Sequence, residues 1–212
     1  MRKVFIDPAR CIGCKQCEIA CATAHSLSKD IATAHLEVPI PRARIHVDPG
    51  PVIGLSYPSN CRHCDPAPCV GICPSGAMHR DGDLVLVDDR ACIGCAMCAV
   101  VCPFDVIGFY PTASGLDHDT AVAVKCDLCV DRLREGALPA CVEACKVGAL
   151  SFGDVNDVVT GARRAHADAV FAAVEAVDDP LAGWRANGVA LRNLVSLAET
   201  ATFPVQPMGA QR

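Results

Sequence analysis

Aromatic residues make up only 4% of the 212-residue chain, so buried rings are not the main source of its core stability. An apolar fraction of 51% is inflated by Ala and Cys, and such a chain is expected to lean on bound inorganic groups. No run of about 18 apolar residues occurs, which leaves no candidate for a membrane-spanning helix. Lys/Arg tracts with interleaved aromatics are missing, and the net charge is −5, so nucleic acid is excluded as a partner. Neither H-x-x-H nor H-E-x-x-H is found among His25, His35, His46, His63, His79, His118 and His166. Each histidine is therefore read as a surface or packing residue, with His63, between two cysteines, the one placed to tune a metal group. A G-x-G-x-x-G run is also missing, so the chain brings no nicotinamide or flavin site of its own. The N-terminal MRKVFIDPARCIGC has a three-residue apolar run before Asp7-Pro8, too short for a secretory or twin-arginine leader. The expectation is a cytoplasmic protein, in which thiols stay reduced and disulfides are rare.

What is abundant is cysteine: 16 residues, all in four groups of four. The groups are Cys11, Cys14, Cys17, Cys21; Cys61, Cys64, Cys69, Cys73; Cys92, Cys95, Cys98, Cys102; and Cys126, Cys129, Cys141, Cys145. Groups one and three read C-x2-C-x2-C-x3-C, the bacterial ferredoxin run. Three closely spaced thiolates wrap one face of a cubane, while Gly13 and Gly94 let backbone N–H groups approach its sulfurs. The fourth thiol, one helical turn on, points toward a neighbouring cluster, and Pro74 or Pro103 then stops the helix. A structural zinc site takes two separated C-x2-4-C pairs. Group four alone fits zinc, but groups one and three do not, because their third Cys has no place in it. Iron–sulfur is the reading; the alternative is a non-redox zinc-binding interaction module.

Short apolar strands precede the tight motifs (KVFID, LVLVDD) and follow the last Cys of a group (GAM, VIGFY, GALSF), with a hairpin at Gly82. This is a two-cluster ferredoxin unit used twice. Residues 155–177 carry Val155, Val159, Ala162, His166, Ala169, Ala173 and Val177 at helical spacing. Asp179-Pro180 resembles an N-cap and N1 pair opening a further segment with Leu181 and Trp184. These helices either cover the core or form a docking arm. Arg42, Arg44 and His46 before DPGP read as a solvated strand, with an anion site as the rival.

The segments CIGCKQCEIAC, CRHCDPAPCVGICPSGAM, CIGCAMCAVVCPFDVI, KCDLC and ACVEACKVGALSFGD resemble the four-cluster 4Fe–4S electron-transfer subunits related to the dimethyl sulfoxide reductase iron–sulfur subunit. The soluble branch of that family includes the CO dehydrogenase-associated iron–sulfur protein, hydrogenase electron-transfer subunits and the small subunit of tungsten aldehyde oxidoreductases. Cys145-Lys146 departs from the Cys-Pro frequent in the family. The resemblance, which covers roughly residues 3–155, implies an α+β fold of two bacterial-ferredoxin-like lobes, one inserted in the other, with the outer lobe at 1–50 and 122–155 and the inner lobe at 51–121. The tail at 156–212, longer and richer in Ala than in the family, is read from its helical spacing as a mainly helical C-terminal extension. The resemblance also implies crosswise ligation. Cys11, Cys14 and Cys17 would take Cys145, and Cys126, Cys129 and Cys141 would take Cys21. Likewise Cys61, Cys64 and Cys69 would take Cys102, and Cys92, Cys95 and Cys98 would take Cys73. The implied role is electron relay without a substrate site, beside a catalytic oxidoreductase subunit (tungsten aldehyde oxidoreductase, CO dehydrogenase or hydrogenase) and a flavin subunit or ferredoxin.

Overall fold

The computed structural model describes residues 1–50, 54–111 and 121–175. Residues Met1–Val155 form one compact unit and Asn156–Arg212 a second.

Within the first unit, four two-stranded antiparallel sheets hold short loops and helices. β1 (Arg2–Ile6) pairs with β8 (Leu150–Asp154), Val4 opposite Phe152 and Ile6 opposite Leu150. The pairing brings the two ends of this unit together. It is extended by Asp7 N–H to Ala149 O at 2.8 Å and Val155 N–H to Met1 O at 3.1 Å. β2 (Ile45–Pro49) pairs with β3 (Ser56–Asn60), β4 (Met78–Asp81) with β5 (Leu84–Val87) around Gly82, and β6 (Gly108–Tyr110) with β7 (Val122–Val124). The strands expected at KVFID, LVLVDD, VIGFY and GALSF are β1, β5, β6 and β8. GAM contributes only Met78 to β4. β2 is the strand read before DPGP, with Ile45 and Val47 buried rather than solvated; β3 and β7 lie outside those expectations, and Pro58 inside β3 masks its strand pattern.

Helices accompany the cysteine groups, α1 (Gln16–Ala24), α3 (Pro68–Gly71), α4 (Met97–Val100), α5 (Val130–Arg134) and α6 (Ala140–Glu143), while α2 (Ile31–Ala34) lies between groups one and two. Most are single turns, stopped before Pro74 and Pro103 in the cases of α3 and α4. α1 is longer, and Glu18 in its first turn accepts a hydrogen bond from the Val47 N–H, tying it to β2.

Apolar burial falls into two separate cores. One gathers Val4, Cys17, Cys21, Ile45, Val47, Leu128, Cys141 and Leu150; the other gathers Met78, Val85, Cys98, Ile107 and Ala123. Thiols therefore occupy positions that large apolar side chains would fill in an ordinary domain of this size.

In the second unit, α7 (Val155–Glu175) agrees with the helical spacing expected there. Val159 and Phe171 on it are exposed. The expected Asp179-Pro180 cap, Leu181 and Trp184 lie outside the described residues.

Candidate metal centre

The four cysteine loops share one backbone device. The second residue after the first cysteine of each group is left-handed: Gly13 (φ 71°), His63 (φ 47°), Gly94 (φ 67°) and Leu128 (φ 64°). Glycine takes this conformation without cost, but His and Leu do so rarely. At those two positions the turned N–H groups are used: His63 N–H donates to Cys61 Sγ at 3.4 Å and Leu128 N–H to Cys126 Sγ at 3.4 Å. Three further backbone donors reach thiol sulfurs, from Arg44 to Cys21 (3.2 Å), Met78 to Cys73 (3.4 Å) and Ala123 to Cys92 (3.5 Å). N–H donors around thiolates are a principal means of setting the potential of an iron–sulfur centre.

All sixteen cysteines are free, and only Cys14 and Cys95 are exposed. Two small cavities in the unit are each lined by four of them. Cys61, Cys64, Cys69 and Cys102 face one, walled by Val85, Phe104 and Ile107. Cys73, Cys92, Cys95 and Cys98 face the other, walled by Met78, Phe109 and Ala123. Cys73 and Cys102 thus exchange places between groups two and three.

For the other eight thiols, burial and mutual electrostatics give the neighbourhoods. Burial pushes the Cys17 thiol up to about 11, with Cys14 and Cys145 adding to the rise. It pushes Cys21 up to about 12, with Cys126 and Cys129 adding to the rise. Cys141 is raised further still by burial and by Cys126, Cys21, Cys129 and Cys17. Burial also brings Cys126 to about 11, as it does Cys98 in the second of the two cavities. Such thiols hold their protons in the metal-free chain, and a bound metal removes them.

Beside the thiols lies a polar group the sequence did not announce. Asp127 accepts from Arg44 Nη1 at 2.7 Å, from His25 Nε2 at 3.0 Å and from the Cys129 N–H at 2.9 Å. Burial alone would raise its carboxyl, but His25, Arg44 and the Cys129 N–H together hold it well below the usual carboxylate range. His25, Asp127 and Cys129 offer ligand atoms within 4.8 Å of one another. The carboxylate is already committed to a guanidinium, so this group is the flank of a thiol site. Arg44 is likewise taken up by Asp127, which removes it from the rival anion site with Arg42 and His46; Arg42 instead lies over the Tyr110 ring at 5.0 Å. His63 is fully buried and accepts at Nδ1 from the Val85 N–H at 3.0 Å. Burial, then Lys125 and Lys3, bring its imidazolium down to about 3. Lys125 and Asn60 were also missed, although KCDLC contains the lysine; no pattern in sequence marks a charge as buried.

Four-sulfur cavities with apolar walls and N–H donors aimed at the sulfurs fit a 4Fe–4S cubane, whose protein ligands are four thiolates. Fold and donor set therefore define an iron–sulfur protein of the bacterial-ferredoxin type. Residues 52–155 match the family model described as a 4Fe–4S dicluster domain. The chain is 39% identical over 163 residues to the electron transport protein HydN of Escherichia coli, covering 73% of this chain and 89% of HydN. It is 36% identical over 169 residues to one of the polypeptides of the anaerobic dimethyl sulfoxide reductase of Escherichia coli, covering 77% of each. With a subunit of the tetrathionate reductase of Salmonella typhimurium it shares 37% identity over 156 residues, 73% of this chain but 58% of that protein. The chain belongs to this family of 4Fe–4S electron-transfer proteins, and the family sets aside the zinc alternative. No helix among the described residues is long and apolar enough to cross a membrane.

Proposed function

We propose that the chain relays single electrons between a catalytic oxidoreductase subunit and a second redox partner, with crosswise ligation of four clusters. In this reading Cys11, Cys14, Cys17 and Cys145 hold the first; Cys126, Cys129, Cys141 and Cys21 the second; Cys61, Cys64, Cys69 and Cys102 the third; and Cys92, Cys95, Cys98 and Cys73 the fourth. The observation that carries it is the exchange of Cys73 and Cys102 between the two small cavities. The electrostatic neighbours of Cys17 and Cys21 support the same exchange between groups one and four.

When bound, the clusters supply reversible one-electron chemistry with all-thiolate ligation. The chain's own residues hold the sulfurs, exclude water from most of them and direct N–H groups at them. The sites also read as a row. Cys98 is an electrostatic neighbour of Cys69, Cys126 of Cys61, and Cys141 of Cys17. The ends of that row carry the two exposed cysteines, Cys95 beside exposed Ile93 and Cys14 beside exposed Ile12.

The first core supports an outer lobe of residues 1–50 and 122–155, and the second, which Ala123 of β7 joins, supports an inner lobe of 51–121, with 156–212 as an extension. The names of the relatives, two reductases and an electron transport protein, support a reductase-type catalytic partner. Tungsten aldehyde oxidoreductase, CO dehydrogenase and hydrogenase are the candidates on one side, and a flavin subunit or ferredoxin on the other. A cytoplasmic location belongs to the same proposal.

Serine substitutions test the ligand sets. Cys102→Ser is expected to alter the EPR signal that Cys61→Ser also alters, and Cys145→Ser the signal of Cys11→Ser. If Cys102→Ser and Cys92→Ser instead damage the same signal, ligation is not crosswise.

A further inference from the structure

The chain buries one lysine almost completely. Lys125 is 3% exposed, and its ammonium donates to the carbonyl oxygens of Val85 and of Cys126, the latter at 3.2 Å. Val85 walls the cavity of Cys61, Cys64, Cys69 and Cys102, whereas Cys126 belongs to the neighbouring thiol site. The ammonium therefore bridges the backbone at the wall of one site and the backbone of the first cysteine of the next. Cys69 is also within its electrostatic reach.

Burying an ammonium is costly unless negative charge compensates it. The acceptors found for Lys125 among the described residues are neutral carbonyls, so anionic thiolate sites on either side are the compensation at hand. Other buried polar atoms mark the same junction. Asn60 Nδ2 approaches Cys126 Sγ at 3.8 Å while its backbone continues into Cys61, and the buried Nε2 of His63 has no partner.

We propose that Lys125 is the buried cation that sets the reduction potentials of the two centres meeting at the Cys61–Cys126 junction, favouring the reduced form of both. An all-thiolate cubane is anionic, and more so after reduction, so a fixed cation between two of them stabilises each reduced state. One electron crossing the junction oxidises one centre as it reduces the other, and no bond or proton needs to move. Lys125 is a positioning residue, acting through space and through the Cys126 carbonyl. The inference rests on the relay reading above.

The test is an EPR-monitored redox titration of Lys125→Gln and Lys125→Arg in the full chain. Iron and sulfide are counted first, because a wild-type chain without 4Fe–4S signals would remove the relay reading itself. Signals of the two middle centres are assigned with Cys21→Ser and Cys102→Ser. In Lys125→Gln, which keeps donors for the carbonyls but loses the charge, the reduced-to-oxidised ratio of both middle centres at fixed poise should fall at least tenfold, about 59 mV for one electron. The end centres should stay put, and the shift should survive high salt because the charge is buried. Lys125→Arg should keep wild-type potentials. Unchanged middle potentials in Lys125→Gln, an equal shift of all four centres, or the same shift in Lys125→Arg would each overturn the proposal. Should Lys125→Gln not load, 15N-lysine labelling in a Lys3→Met background decides: electron–nuclear double resonance must show a lysine nitrogen coupled to a middle spin, and its absence refutes the assignment.

Discussion

Asp127 and Arg44, 83 residues apart in sequence, are joined at 2.7 Å. This pair fixes the loop of Cys126 and Cys129 against the entry to β2. Both side chains are about three-quarters buried, so the contact is worth more than a surface ion pair and less than a fully desolvated one. Asp127→Asn is expected to cost about 1–3 kcal/mol, since it leaves Arg44 and His25 short of their acceptor. Thermal unfolding of the loaded protein measures this. An unchanged melting temperature would reduce the pair to a surface contact.

Removing iron should unfold much of residues 1–155, because the free energy of filling such sites is folding free energy in small metal-bound domains. The pH dependence has a definite sign. Burial raises the thiols of Cys17, Cys21, Cys98 and Cys126 in the metal-free chain. Any residual metal-free fold is thus supported below the unfolded thiol value, about 8.5, and loses that support as pH rises toward 11–12. Chelated protein should accordingly be more unfolded by circular dichroism at alkaline than at neutral pH. A chelated chain with native tertiary signals at both would contradict the account.

Gly13→Ala combines two penalties. Its φ is 71°, and an added Cβ would stand 2.6 Å from Ser56 Oγ. The left-handed backbone alone costs an alanine about 1–2 kcal/mol. Gly76→Ala, at the same φ of 71° but with open space around the Cβ, should pay only the backbone part. Melting temperatures of both, with Ser56→Ala added to the first, separate clash from conformation; equal losses at the two glycines would dismiss the clash.

Lys146 follows Cys145 and is exposed, so solvent screens its charge. Lys146→Pro should lower the potential of the centre near Cys145 by less than Lys125→Gln lowers the middle pair. A larger effect at Lys146 would mean its ammonium is held inward in the assembled complex.

Deleting residues 156–212 should leave all four EPR signals in place, because Met1–Val155 is compact by itself and closed by β1 and β8. Partner binding, read by pull-down, then reports on the extension. Loss of iron on deletion would make the extension a cover for the core.

Much of this was legible from spacing. The triple C-x2-C-x2-C specifies a cubane over a tetrahedral ion, and short apolar runs such as Leu84–Val87 located strands. The Asp127–Arg44–His25 group was not legible, because its members come from three distant segments and the KCDLC motif that holds Asp127 says nothing of Arg44 or His25. Lys125 was in view inside KCDLC, yet the sequence has no feature separating a solvated lysine from a buried one. β3 escaped because Pro58 inside it imitates loop.

The pairing of β1 with β8 has a consequence for how the protein is made. Cys11, Cys14 and Cys17 leave the ribosome well over a hundred residues before Cys145, an interval on the order of ten seconds at ordinary rates of translation. Throughout that interval three thiols stand without the strand that closes over them, whereas Cys61 to Cys102 emerge within a far shorter window. With the ligand sets proposed above, the two centres of Cys61 to Cys102 would have all their thiols first, and those of the first and last groups would be completed last. The three early thiols of the first group are where oxygen or a mismatched metal would do its damage in the nascent chain.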